Sequence, residues 1–192
     1  HTPILEGRCW MEFKRLDDDV LEMVLATLRE FMAVEAPLEK RLEWDKDDHC
    51  PEDVVRKMTG PEIGLHLVFV PEEYEGLGGG AWDLYKLSAL FAEIDLGMAT
   101  SMLAIALGTD PIRVGCTPDQ KKKWMTRIAL EGLIVAYGVT EPEAGSNVEN
   151  LKTKADPITD ADGNVTHYRI SGVKQFISNG AIADLYTILA RA

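Results

Sequence analysis

After the acidic run Asp17-Asp18-Asp19, apolar residues recur at Leu21, Val24, Leu25, Leu28 and Met32. This is the three-and-four spacing of a helix that buries one stripe. Pro37 ends or kinks that helix. Pro51 opens a second, carrying Val54, Val55 and Met58 up to the Gly60-Pro61 break. The short apolar run Leu65 to Val70 reads equally as a helix end or a strand. From Pro71 to Gly80 the chain is read as a flexible interhelical loop, because clustered glycines offer too little packing surface for a regular element. Beyond Asp83, Leu84, Leu87, Leu90, Phe91 and Ile94 mark another helix. Met98 to Leu107 is apolar on nearly all faces, the pattern of a helix inside a bundle. Thr117-Pro118-Asp119-Gln120 places an N-cap hydroxyl, a first-turn proline and acid, and a capping-box glutamine in sequence. The spacing thus predicts four to six helices between about Asp17 and Glu131, in an N-terminal helical domain over residues 1–132.

At Leu133 the period changes. Leu133 to Thr140 is an apolar, β-branched and aromatic run of the kind that forms a buried strand. Turn signals at Asp162-Gly163, Gly172 and Asn179-Gly180 then separate Thr166–Ser171, Lys174–Ser178 and Asp184–Ala190 as further strands. The fold class expected is α+β: an N-terminal helical bundle followed by the beginning of an antiparallel β domain over residues 133–192. The chain begins at His1 rather than Met and stops at Ala192 within a strand pattern. It is therefore expected to be incompletely represented and to end inside a domain.

Charge and cysteines narrow the function classes. Twenty basic against 32 acidic residues leave a net charge of −12, which repels phosphate polyanions and argues against a nucleic-acid partner. The most apolar stretch, Leu84 to Leu107, is broken by Lys86, Glu93 and Asp95, so no transmembrane segment is expected. Cys9, Cys50 and Cys116 are odd in number and dispersed. They point away from a disulfide framework and toward a reducing compartment, cytoplasmic or otherwise intracellular.

No metal site is expected, since His1, His49, His66 and His167 lack ligand partners at helical or zinc-knuckle spacing. Neither a nucleophile elbow, a P-loop nor a dinucleotide-binding glycine fingerprint occurs. Lys121-Lys122-Lys123 reads as the solvated face of a helix, and Met98, Met102 and Met125 as core. The chemistry-bearing candidate is Tyr137 to Asn147, where a buried strand runs into a loop with Thr140 and Ser146 on either side of a Glu-Pro turn. Two hydroxyls and a glycine at Gly145, which admits close approach, suit a large planar polar ligand, though an ordinary strand-to-loop transition has the same pattern. Phe176 and Ser178, read as alternate residues of one strand, project from one face and place an aromatic plane beside a hydroxyl.

These residues carry a resemblance. Tyr137 to Asn147, Thr153-Lys154-Ala155, Ile170 to Gly180 and Ala183-Asp184 are similar to the acyl-CoA dehydrogenase family. Pro71 to Gly78 resembles that family's helical-domain loop, and Gln120 to Trp124 the helix before its first strand. The order and spacing of these segments agree over most of residues 25 to 192.

The resemblance implies an FAD-dependent oxidoreductase of fatty acid metabolism that converts an acyl-CoA thioester to its 2,3-enoyl form. It implies a first helical domain, a middle β domain and a C-terminal four-helix domain, of which this chain resembles the first and part of the second. Tyr137, Val139, Thr140, Gly145 and Ser146 are then expected at the flavin, with Ser146 also near the acyl-CoA. Phe176, Ile177 and Ser178 form the second flavin-contacting group. Phe176 stands where the family has Trp, Ser178 where it has Thr, Asn147 for Asp and Glu143 for Gly. The family's catalytic base lies in the C-terminal domain, so no catalytic residue is assigned here and this chain alone is expected to be inactive. Electron-transfer flavoprotein as electron acceptor and a homo-oligomeric state, dimer or tetramer, also follow from the resemblance. An oxidase of the same fold and a noncatalytic binding or assembly module are the alternatives.

Overall fold

The structure, a computed structural model, describes residues 15–192. The readings placed on His1 and Cys9 lie outside the described residues. Six helices come first: α1 (Asp18–Glu35), α2 (Leu38–Lys46), α3 (Glu52–Thr59), α4 (Ala81–Ile94), α5 (Leu96–Gly115) and α6 (Pro118–Glu131). Four strands follow: β1 (Val135–Gly138), β2 (Lys154–Thr159), β3 (Val165–Ser171) and β4 (Leu185–Ile188). No helix among the described residues is long and apolar enough to cross a membrane.

The amphipathic stripes become the core. In α1, Leu21, Val24, Leu25, Leu28, Phe31 and Met32 are buried. They join Val54, Val55 and Met58 of α3, Leu87 and Phe91 of α4, and Met98, Met102 and Met125 in one cluster. Burying such side chains contributes about 1.5–3 kcal/mol each. The long helix α5 packs against β1, and at Gly108 an added Cβ would meet Val135 Cγ1 at 2.7 Å. The capping box of α6 forms as expected: Thr117 Oγ1 accepts from Gln120 N, and Gln120 Oε1 accepts from Thr117 N.

Several expectations are revised. The α2 helix has no buried residue, which is why hydrophobic periodicity does not reveal it beyond Pro37. Leu65–Phe69 is a 3₁₀ turn rather than a strand. The glycine-rich segment is pinned rather than flexible: Leu77, Gly78 and Gly79 N–H groups donate to Leu67, Val70 and Val68 carbonyls at 2.8–2.9 Å. A Cβ on Gly76 would lie 1.9 Å from Val70 O, so close backbone approach, not looseness, requires glycine there.

The β region divides into two ladders. β2, a strand that the turn signals do not mark, pairs antiparallel with β3, with a register irregularity at Ile158/Thr159. β1 and β4, in contrast, pair in parallel from Val135↔Leu185 to Gly138↔Ile188. The long excursion between them brings β4 back along β1 in the same direction. Lys174–Ser178 is not a strand: Phe176 and Asn179 adopt φ of +55° and +62°, which an extended chain cannot contain.

Candidate functional site

β1 delivers the candidate segment. Tyr137 is half-buried within the strand, and Val139 and Thr140 follow at its end, also half-buried. Glu141 and Ala144 exchange backbone hydrogen bonds of 2.9 and 3.2 Å, closing the Glu-Pro turn. Gly145 and Ser146 come out of that turn exposed, and a Cβ on Gly145 would meet nothing within 4 Å. Nothing in this chain's own packing therefore demands glycine at 145.

The second segment is brought beside the first. Gln175 N donates to Thr140 O at 3.0 Å, and Gln175 Nε2 to Glu141 O at 3.3 Å. Directly after this clip stands Phe176, 87% exposed and in the left-handed region. A bulky side chain held there is strained by on the order of 1–3 kcal/mol. Ile177 is half-buried and Ser178 exposed. The premise that Phe176 and Ser178 share a strand face fails, because Phe176's φ turns the chain between them. All eight sequence-predicted residues still lie on two segments clipped together at Thr140.

Beneath the clip lies a buried ion pair. Lys174 Nζ donates to Glu141 Oε1 at 2.7 Å, Leu189 O at 2.8 Å and Val139 O at 3.0 Å, which uses all three ammonium donors. Glu141 accepts further from Lys152 N at 2.5 Å, Thr153 N at 3.0 Å and the Thr153 hydroxyl. Their side chains are 3% (Glu141) and 11% (Lys174) exposed. Burial by itself raises the Glu141 carboxyl, but Lys174, the Thr153 hydroxyl and the two N–H donors outweigh it and lower its pKa to about 2.

The helical part holds the second segment from the other side. Ser101 Oγ donates to Asn179 Oδ1 at 2.7 Å, and Asn179 Nδ2 to Ser101 O at 2.9 Å. Arg56 of α3 reaches Asp184 at 3.1 Å and Ile182 O at 2.9 Å. Ser178 and Asn179 border a cavity of about 620 Å³ that is also lined by Trp44, His49, Met98 and Thr100. Sequence reasoning singled out none of Glu141, Lys174, Ser101 or Arg56 as a site residue. Glu141 and Lys174 do carry one signal: each is a charge set in a segment otherwise chosen for strand or turn formation.

His66 is buried with Nε2 at 3.1 Å from Ala129 O, and burial lowers its pKa. Lys123 and Arg127 flank the ring of Trp124 at 4.7 and 5.2 Å, and Trp124 itself packs against the core.

Comparison with known proteins matches residues 18–131 to the acyl-CoA dehydrogenase N-terminal domain and residues 136–192 to the acyl-CoA dehydrogenase middle domain. The chain belongs to the acyl-CoA dehydrogenase family. It is 36% identical over 154 residues to a probable acyl-CoA dehydrogenase of Bacillus subtilis, covering 77% of this chain and 24% of that protein. An acyl-CoA dehydrogenase from Bacillus anthracis, solved in complex with FAD, superposes with a TM-score of 0.72 at 29% identity, covering 91% of this chain and 29% of that one. A chain from the structure of the electron transferring flavoprotein of Acidaminococcus fermentans superposes with a TM-score of 0.77 at 30% identity, covering 94% of this chain and 45% of that one. The chain spans about a quarter to a third of the length of the curated relatives it matches.

Proposed function

We propose that this chain supplies the first domain and part of the flavin-contacting β domain, residues 1–132 and 133–192, of an FAD-dependent acyl-CoA dehydrogenase. The observation that carries the reading is Phe176. Phe176, 87% exposed on a left-handed backbone, carries backbone strain and leaves its ring in water, and a partner that covers the ring offsets that cost by apolar burial. The residues on the two clipped segments fit a flavin. Thr140, Ser146 and Ser178 offer hydroxyls, Phe176 an aromatic face, and Gly145 a position with open space above its Cα.

FAD, when bound, supplies the hydride-accepting chemistry. Thr140 would hold it by a hydroxyl hydrogen bond, Phe176 and Ile177 by apolar packing, and Ser178 would offer a second hydroxyl. Tyr137, Val139 and Gly145 would complete the surface that holds it. Ser146, exposed at the mouth of the turn, contacts the acyl-CoA as well. The base that removes the proton α to the thioester carbonyl is a carboxylate outside this chain's assigned residues. The substrate is an acyl-CoA, the acceptor electron-transfer flavoprotein and the assembly a homo-oligomer, all by family relationship.

The test is spectroscopic. The full-length protein, purified with excess FAD and then freed of unbound flavin, is expected to retain flavin absorbance that bleaches on anaerobic addition of an acyl-CoA. A folded protein of verified mass that retains no flavin defeats the proposal.

A further inference from the structure

Lys174 and Glu141 sit where the two candidate segments meet, yet neither faces outward to touch a ligand. The Lys174 ammonium fastens three carbonyl or carboxylate oxygens from two stretches of chain: Val139 and Glu141 on either side of Thr140, and Leu189 beyond β4. Its stem runs under the end of β1, with Cγ 3.6 Å from where a Cβ on Gly138 would stand. The next residue, Gln175, bonds Thr140 and Glu141 by backbone and side chain, and Phe176 follows. The backbone carrying Thr140 and the backbone carrying Phe176 to Ser178 are thus joined through one buried charge pair.

A pair used only for stability gives a weak physical account of this arrangement. Replacing a buried ion pair by apolar residues of similar volume is often neutral or stabilising, so burial of two charges is poor evidence of a stabilising role. What a fully bonded ammonium does supply is directional constraint: three fixed acceptors define one geometry, whereas an apolar side chain tolerates several.

We infer that Lys174 and Glu141 are positioning residues that hold the Thr140 segment and the Phe176–Ser178 segment in the register needed to grip the flavin. The inference rests on the flavin reading above and goes further, assigning a role to two residues that do not contact the cofactor.

The experiment compares four full-length proteins: wild type, Lys174→Met, Lys174→Arg and Ile128→Ala. Ile128 is buried in α6, so its truncation lowers stability without touching the pair and serves as the stability control. Circular dichroism confirms folding, and flavin titration with the visible spectrum of the bound state is the main readout. A second readout needs no flavin: hydrogen exchange of the apoprotein at the Gln175 amide, whose acceptor is Thr140 O.

Lys174→Met is expected to weaken flavin binding by about tenfold or more, alter the bound spectrum and speed exchange at Gln175. Lys174→Arg restores the charge and part of the affinity. Ile128→Ala leaves flavin affinity and spectrum at the wild-type level despite a lower melting temperature. If folded Lys174→Met binds flavin with wild-type affinity and spectrum, or if Ile128→Ala weakens binding as much, the positioning role is wrong and the flavin reading stands. If the wild-type protein itself binds no flavin, both fall together.

Discussion

Thr140, Phe176 and Glu141 show three ways in which one residue bears on the proposed site. Thr140→Val keeps the shape and removes one hydrogen-bond donor. The expected loss is about 0.5–1.5 kcal/mol of flavin binding, or roughly two- to tenfold in affinity, checked by flavin titration. Phe176→Gly acts with two signs. Glycine accepts φ of +55° without strain, so the apoprotein is expected to melt no lower than wild type. Flavin retention falls because the aromatic face is gone. A melting temperature well below wild type would show that Phe176 packs within the fold rather than awaiting a partner. Glu141 sets an acid limit. Its pKa lies at about 2 in the folded chain against an ordinary value of 4.5. A lowered folded pKa contributes stability that is complete above the unfolded value and is lost as pH falls through the folded one. Acid unfolding of the wild type should therefore show a stability loss between about pH 4.5 and 2. In Glu141→Gln that component of the pH dependence disappears.

Among the elements, α6 and its junction with β1 decide where the site strand begins. Gly132 caps α6 at φ of +65°, and a Cβ there would lie 2.1 Å from Thr59 O. Gly132→Ala is therefore expected to destabilise by more than about 1 kcal/mol, since both the backbone region and the packing against α3 oppose it. Thr117→Ala, at the other end of the helix, removes one side of an exposed capping box and costs about 1 kcal/mol. Chemical denaturation of the two variants separates them: the larger loss belongs at 132, and equal losses would show that the close approach to Thr59 relaxes. The β2–β3 hairpin behaves differently. Every residue of β3 is exposed, so its antiparallel ladder stands on backbone bonds and cross-strand pairs rather than on core burial.

At the scale of the molecule, the site is held between a helical core and a small parallel ladder, through Ser101–Asn179 and Arg56–Asp184. A ligand that binds only this folded arrangement stabilises the whole: FAD at a hundred times its dissociation constant adds about 2.7 kcal/mol, which calorimetry reads as a raised melting temperature. Local pattern along the chain determined the helices with buried stripes, the capping box of α6, the apolar strand at β1 and the candidate segment around Thr140, because each is encoded within a few neighbouring residues. Tertiary structure decided the rest. Polar α2 has no stripe to display, and the pinned glycine segment depends on carbonyls of residues 67, 68 and 70. The direction of β4 depends on the path of the whole excursion from β3, so no turn signal reveals that it runs parallel to β1. Phe176 looks like a strand residue from its neighbours, and only the bonds of Lys174, Gln175 and Asn179 to distant parts of the chain turn it outward on a left-handed backbone. The same holds for Glu141 and Lys174: their charges are visible in the sequence, but their union is a contact across 33 positions that only folding creates.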